Sequence, residues 1–351
     1  MKFIRLLISS LFFLLVSCTS KATPVTSEAQ SITIMTHDSF SVSKDVVKSF
    51  EDANNASVIF LQSGDAGAML NKAILTKDAP LADVLFGVDN TFLSRALEAD
   101  IFESYDSPAL DSISDDFKLD PSNRALPVDY GDVCINYDKA YFAGHSLAVP
   151  QSLEALTQPE YASLLVVENP ATSSTGLAFM LATVAHFGED GYLDFWRDLK
   201  ANSVVVVDGW ETAYYSNFSA SSGRGPQPMV VSYGTSPAAE VIFAETPLDD
   251  APTASILGRD TCFRQIEFVG ILNGTEKRVL AEKFVDFMLS QKFQEDMPLQ
   301  MFVYPVNPGA ALPDAFTNYS QAPEQTAVLS PETIAANRDK WIQEWTDTVM
   351  K

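Results

Sequence analysis

Six short turns bring small polar residues, carboxylates and aromatic rings together: Thr36-His37-Asp38-Ser39-Phe40, Ser63-Gly64-Asp65-Ala66-Gly67, Gly87-Val88-Asp89-Asn90, Thr172-Ser173-Ser174-Thr175-Gly176, Asp208-Gly209-Trp210-Glu211 and Ser232-Tyr233-Gly234-Thr235-Ser236-Pro237. Side chains of these types suit hydrogen bonding and ring contact with a small molecule, although Ser, Asp and Gly also serve as helix caps. Signatures of chemistry are missing. There is no G-x-G-x-x-G, G-x-x-x-x-G-K-[ST] or G-x-S-x-G element, and His37, His145 and His186 stand too far apart for metal-type spacing. Asp115-Asp116 and Asp249-Asp250 read as solvated surface in so acidic a chain. Tyr214-Tyr215 offers neighbouring phenolates of the kind hard Fe(III) takes, but successive residues on a helix point about 100° apart.

The elements that must carry these turns alternate strand with helix. Strands are predicted over 31–35, 57–61 and 82–88, with helices over 44–53, 66–75 and 91–99 between and after them. A second series runs through a helix over 152–163, a strand over 164–167, helices over 176–187 and 192–200, and a strand over 204–207. It ends with a helix over 211–218, an irregular Gly/Pro loop over 221–228 and a strand over 229–233. This order implies mostly parallel sheets covered on both faces. The turns fall at strand carboxyl ends, where open α/β sheets bind ligands. At 351 residues two lobes are expected, each with its own core, facing each other across a cleft. With 46 acidic against 23 scattered basic residues the formal charge is −23, which argues against a nucleic-acid partner.

The first 30 residues read as an address. Lys2 and Arg5 precede the apolar run from Leu6 to Val16, which is too short for a stable membrane span and matches an export signal. Leu15-Val16-Ser17-Cys18 resembles a bacterial lipobox, in which Cys18 is diacylated and becomes the mature N-terminus; the alternative is a plain signal peptide with a chance Cys. Residues 1–17 are then signal peptide, and 18–30 a lipidated Cys with a Ser/Thr/Ala/Pro-rich tether reaching at most about 40 Å.

The first, third, fifth and sixth turns resemble segments of the thiamine-binding solute receptors of bacterial ABC importers. So do Ala82-Asp83-Val84-Leu85-Phe86, Pro127-Val128-Asp129-Tyr130-Gly131, Tyr304-Pro305-Val306 and Trp341-Ile342-Gln343-Glu344-Trp345, in order over roughly residues 31 to 347. The resemblance implies an α/β, two-lobed clamp of the periplasmic-binding-protein kind, a group that includes ferric-ion receptors. Lobe 1 is expected over 31–131 plus 268–320 and lobe 2 over 132–267 plus 321–351, with hinge strands at 131–137 and 262–269 and the C-terminal helix packed on lobe 2.

It further implies a monomeric, non-enzymatic, extracytoplasmic receptor without a cofactor. Such a receptor captures thiamine or a thiamine phosphate and presents it to an ABC permease, held at the membrane by its N-terminal lipid. The implied ligand residues are His37, Asp38, Ser39, Gly64, Asp65, Asp89, Ser173, Ser174, Thr175, Trp210, Tyr233, Thr235, Ser236 and Phe302. Trp210 and Tyr233 are the rings for a thiazolium cation, unless they are ordinary core. The turn ahead of Gly176 can meet a phosphate, unless its hydroxyls only cap a helix. His37 stands where these receptors commonly carry Tyr, Phe302 where they carry Trp, Ala239 where another Tyr is usual and Ala171 where Arg is. The remaining alternatives are a ferric-ion receptor using Tyr214/Tyr215 and an exported lipoprotein enzyme. With Cys18 lipidated, Cys134 and Cys262 fall on the implied hinge strands and form either a disulfide or a pair of buried thiols.

Overall fold

The computed structural model describes residues 30–220 and 224–351. The predicted export signal, Cys18 and the tether up to residue 29 lie outside them. The first half contains β1 (Gln30–Thr36), α1 (Lys44–Asn54), β2 (Ala56–Gln62), α2 (Ala66–Leu75), β3 (Val84–Asp89), α3 (Leu93–Glu98), β4 (Phe102–Glu103) and the long β5 (Leu126–Asp138). Then come α4 (Lys139–Gly144), β6 (Leu165–Glu168), α5 (Ser174–Ala201), β7 (Val205–Val207), β8 (Met229–Tyr233), α6 (Ser236–Ile242), β9 (Thr253–Ile256) and β10 (Phe263–Leu272). The chain closes with α7 (Arg278–Met288), α8 (Gln291–Gln300), β11 (Tyr304–Pro305), α9 (Asp314–Tyr319) and α10 (Pro331–Val349).

Sequence chemistry explains the element ends that shape the cleft. The Asp65 carboxylate caps α2 by accepting from the Ala66 N–H. α10 starts on Pro331 behind the Ser330 cap, whose Oγ accepts from Thr333 N at 3.2 Å. Gly188, at φ 73° and ψ 171°, breaks α5 into the two helices expected from the sequence. Two expectations fail locally. The helix expected over 152–163 is two 3₁₀ turns, Glu154–Thr157 and Pro159–Tyr161, because Pro159 forces Gln158 into extended backbone. The helix expected over 211–218 is a π-type turn over Thr212–Asn217.

All strands join one continuous sheet, ordered β2-β1-β3-β10-β5-β8-β6-β7. Parallel trios β2-β1-β3 and β8-β6-β7 form the two lobes, and antiparallel β10 and β5 cross between them. Phe263 sits opposite Val133 in that register, which brings Cys262 beside Cys134 with Cα atoms 4.3 Å apart and their sulfurs bonded.

The expected separation into one core per lobe is incomplete. One buried cluster (Ile32, Phe50, Phe86, Val269, Phe284) belongs to the first lobe, but a larger one runs from Met35, Leu70 and Phe92 across to Leu177, Phe179 and Trp196 of the second. The C-terminal helix is part of the reason. Trp345 meets the Trp196 ring edge-on at 5.3 Å, and Tyr192 donates to Glu344 at 2.9 Å, both on α5. Yet buried Arg338 lies over the Phe92 ring and donates to Ser94 Oγ of α3 at 3.3 Å, so α10 straps both lobes. Among the described residues no helix is long and apolar enough to cross a membrane.

Candidate functional site

The two lobes enclose a cavity of about 1050 Å³, at the upper end of small-molecule sites. From the first lobe come His37, Asp38 and Ser39 after β1 and Asp65 at the start of α2; the crossover strand β10 adds Glu267. The second lobe supplies Ser174 and Thr175 of α5, Trp210 and Glu211 after β7, and Tyr233 at the end of β8. Among the described residues six carboxylates line the space (Asp38, Asp65, Glu211, Glu240, Glu245, Glu267), with Arg224 and His37 as the basic side chains. The surface therefore favours a cation.

Asp65 crosses the cleft. Its Oδ1 accepts from Ala66 N at 2.6 Å and from Ser174 N at 3.3 Å, and its Oδ2 accepts from Trp210 N at 3.1 Å. Burial pushes its carboxyl above the ordinary range against those N–H groups and the His37 charge, which pull it down. Beside it the Gly67 N–H donates to Thr172 O at 3.1 Å, and a Cβ at Gly67 would lie 2.9 Å from that same oxygen. Only a residue without a side chain permits this approach of lobe to lobe.

His37 is buried and acts as a counter-ion, with Nε2 at 3.4 Å from Glu267 Oε1 and Nδ1 at 2.8 Å from Ser39 Oγ. Burial lowers its pKa, but Glu267, Asp65 and Asp38 outweigh that and hold it above the usual histidine value. Gly87, at φ 102°, makes room, since a Cβ there would meet His37 Cδ2 at 2.3 Å. Beneath Glu267 lies Asp129, buried with neither oxygen hydrogen-bonded; burial and the Glu267 charge push it well above the carboxylate range. Glu168 at the end of β6 is also buried, with neither oxygen in a hydrogen bond. Burial, reinforced by the Asp65 charge, favours its protonated form.

The rings are held from behind. Trp210 Nε1 donates to Ser232 Oγ at 2.9 Å, and Ser232 Oγ lies 2.9 Å from Ser236 Oγ; the indole stacks on Tyr214 at 4.9 Å and 18°. Tyr233 donates to Gln265 Oε1 at 2.7 Å and rides over Gly131, where a Cβ would approach its Cδ1 to 2.8 Å. Gln265 Nε2 in turn donates to Asp89 and, at 2.7 Å, to Ser174 Oγ. Phe302, at φ 59°, presents its carbonyl to the Thr235 hydroxyl across the cleft and its ring to Phe243 at 5.1 Å.

Of the residues expected from the sequence, His37, Asp38, Ser39, Asp65, Ser174, Thr175, Trp210, Tyr233 and Phe302 line the cavity. Gly64, Asp89, Ser173, Thr235 and Ser236 stand behind it. Gly64, at φ 84°, turns the chain and takes the Asp38 N–H at 3.0 Å, while Asp89, Thr235 and Ser236 brace the lining as above. The Ser173 Oγ lies 3.0 Å from Thr175 Oγ1 and makes no capping bond. Glu267 and Gln265 escape the sequence reading, while Glu211 and Asp129 stand in segments it singles out, the fifth turn and 127–131, without being named as ligand residues. The one signal for Gln265 and Glu267 is their spacing of two, which puts both on one face of β10. Tyr214 is stacked on Trp210 and hydrogen-bonded to Glu240, and burial with nearby carboxylates raises both the Tyr214 and Tyr215 phenols. That is a poor setting for a pair of phenolates.

Paired crossover strands between two α/β lobes, closing over a small-molecule cleft, make this a clamp of the periplasmic-binding-protein type. The chain belongs to the bacterial extracellular solute-binding protein family, whose pattern matches residues 79–335. Proteins of this family bind substrates rather than transform them, and act outside the cytoplasm. The chain is 29% identical to the thiamine-binding periplasmic protein of Salmonella typhimurium over 328 residues, covering 91% of this chain and 94% of the relative. It is likewise 29% identical to that of Escherichia coli over 324 residues, covering 91% and 94%. Among solved structures it resembles a periplasmic thiamin binding protein (TM-score 0.80, 27% identity, 92% and 97% covered). The Pasteurella haemolytica apo ferric ion-binding protein A shares the fold (TM-score 0.71, 18% identity, 92% and 98% covered).

Proposed function

We propose that this protein captures thiamine, or a phosphate of it, in the interlobe cleft and delivers it to the permease of an ABC importer. The observation that carries the reading is a cavity ringed by carboxylates and lined by the Trp210 indole, which is 9% exposed and backed by Tyr214. An aminopyrimidine and a thiazolium want flat rings, and a cation over an indole gains about 0.5–2 kcal/mol. The relatives' names support the ligand class. In this reading His37, Asp38, Ser39, Asp65, Ser174, Thr175, Trp210, Tyr233 and Phe302 touch the ligand. Gly64, Asp89, Ser173, Thr235 and Ser236 hold them in place. The lobes divide near residues 131 and 268, the receptor works as a monomer, and Cys18 carries the lipid that tethers it.

Calorimetry with thiamine, thiamine monophosphate and ferric citrate tests this. Binding of a thiamine form is expected, and absence of binding of both below about 100 μM, weak for a built site, sinks the proposal. Ferric binding alone would restore the Tyr214/Tyr215 alternative. Globomycin-sensitive processing and loss of the lipid in Cys18→Ser test the anchor.

A further inference from the structure

A large apolar side chain left in water beside a cavity is informative, because covering it is favourable and the cavity's contents are what can cover it. Phe243 is the most exposed aromatic ring among the described residues, at 56%, and it stands in the lining of the interlobe cavity. Helical spacing brings it there: α6 runs Ser236–Ile242, and Phe243 follows Ala239 by four residues, so both fall on the face that lines the cavity. Leu248, in the irregular loop that follows, lines the same wall and is also exposed. The loop is pinned at its base, where the Lys139 ammonium donates to Asp250 at 2.9 Å and the Lys139 N–H to Pro252 O at 3.1 Å. The opposite lobe presents a second ring. Phe302 stands between Met301 and Val303, both in the first lobe's core. Its φ of 59° is uncommon and costly for a bulky residue, and the Thr235 hydroxyl holds it by donating to its carbonyl. The two rings meet edge-on at 5.1 Å and 75°. Asp65 and Gly67 already join the lobes through Ser174 N, Trp210 N and Thr172 O, so Phe243 is not left bare by an open clamp.

We infer that Phe243 is a ligand-covering residue, whose ring closes with Phe302 over the bound ligand at the mouth of the cavity and sets how long the ligand stays. The inference deepens the thiamine reading and rests on it for the ligand. A flat heteroaromatic ring placed against Phe243 takes apolar surface out of water and gains the edge-on or offset contact that aromatic pairs prefer. The division of labour follows from how each ring is held. Trp210 is fixed from behind by the Ser232 hydroxyl and by Tyr214, which makes it a rigid platform. Phe243 ends a seven-residue helix and opens the loop over 244–252, so it is the ring placed to swing aside and return. A side chain that closes after the ligand has entered governs departure more than arrival.

Thiamine binding to the purified protein, followed by stopped-flow indole emission and by calorimetry at several temperatures, tests this in wild type, Phe243→Ala and Phe243→Tyr. Because the ring is exposed, both variants should melt with the wild type when ligand-free. Affinity of Phe243→Ala should fall about 2–13-fold, the range for one aromatic pair, with the loss in faster release and with entry unchanged or quicker. Its heat-capacity change on binding should be less negative than that of wild type, since less apolar surface is covered, a readout that a merely structural role would not move. Phe243→Tyr keeps the ring and should restore affinity, release rate and heat-capacity change together. Wild-type affinity and release in Phe243→Ala overturn the inference, and so does a loss carried by slower entry, an unchanged heat-capacity change, or a defect that Phe243→Tyr repeats. Absence of thiamine binding to wild type is a separate result: it removes the functional reading and this inference with it, whereas wild-type binding that Phe243→Ala leaves untouched removes the inference alone.

Discussion

A proton on His37 and the charge of a bound cation compete for the same carboxylates, so thiamine binding should tighten as pH rises. His37 Nε2 stands 3.4 Å from Glu267, and Asp65 and Asp38 add to the field that holds the imidazole above its usual pKa of 6.5 despite burial. Glu211 also feels the imidazole, and Asp129 lies against the far side of Glu267. Below the raised value the ligand must enter beside an imidazolium or expel its proton. If one proton leaves per cation bound, affinity climbs by up to about tenfold per pH unit, or 1.36 kcal/mol, and levels off above the histidine's pKa.

Ligand-free stability should slope the other way. The imidazolium's contribution is complete below 6.5, the unfolded value, and is lost as pH rises through the raised one. The raised carboxyls Asp65, Asp89, Asp129 and Glu168 act in the same direction, since protonation favours their folded form. Titration calorimetry between about pH 6 and 8, repeated in buffers of different ionisation enthalpy, counts the protons released. His37→Gln should flatten most of the affinity slope. A flat or falling wild-type profile, or an unchanged slope in His37→Gln, refutes the reasoning.

Trp210→Ala should weaken thiamine binding about 2–30-fold, the measure of a cation over an indole. His37→Ala should cost less, because its ring leans on Phe86 at 5.9 Å and points its nitrogen at Glu267; equal losses in calorimetry would show the platform misplaced. Gly67→Val should prop the lobes apart through the contact with Thr172 O, lowering affinity about 5–150-fold with circular dichroism unchanged. The purified protein should carry a Cys134–Cys262 bond, closing a loop of sequence separation 128 and worth about 4–5 kcal/mol on the chain-entropy model. Mass mapping without reductant checks it, and two alkylatable thiols in the freshly unfolded protein would count against it.

The local pattern of the chain carries most of the fold. Alternation in β1 and helical spacing in α1 are visible because each repeats within a few residues. Asp65 and Trp210 are legible for a similar reason, as turn residues at strand ends. What stays hidden depends on distant pairing. The resemblance implies a hinge strand at 262–269, but only the place of β10 between β3 and β5 turns Gln265 and Glu267 inward to Asp89 and His37. The reach of α10 to α3 is hidden too, because Arg338 on an amphipathic helix reads as solvated until Phe92 and Ser94 arrive beneath it. Thr235 and Ser236 carry ligand-like chemistry in the sequence, yet backbone geometry spends their hydroxyls on the Phe302 carbonyl and Ser232.

The position of β10 also sets an order of assembly. A chain that emerges N-terminus first makes β1, β2 and β3 early, but the strand that covers the open edge of β3 comes only with residues 263–272. Until then the fully buried strand Val84–Asp89 offers unpaired backbone to any neighbour, as does the inner edge of β5. The first lobe therefore cannot mature alone. The edges of β3 and β5 are the ones paired last, and a holdase that shields strand edges has the most to protect between synthesis of β5 and arrival of β10.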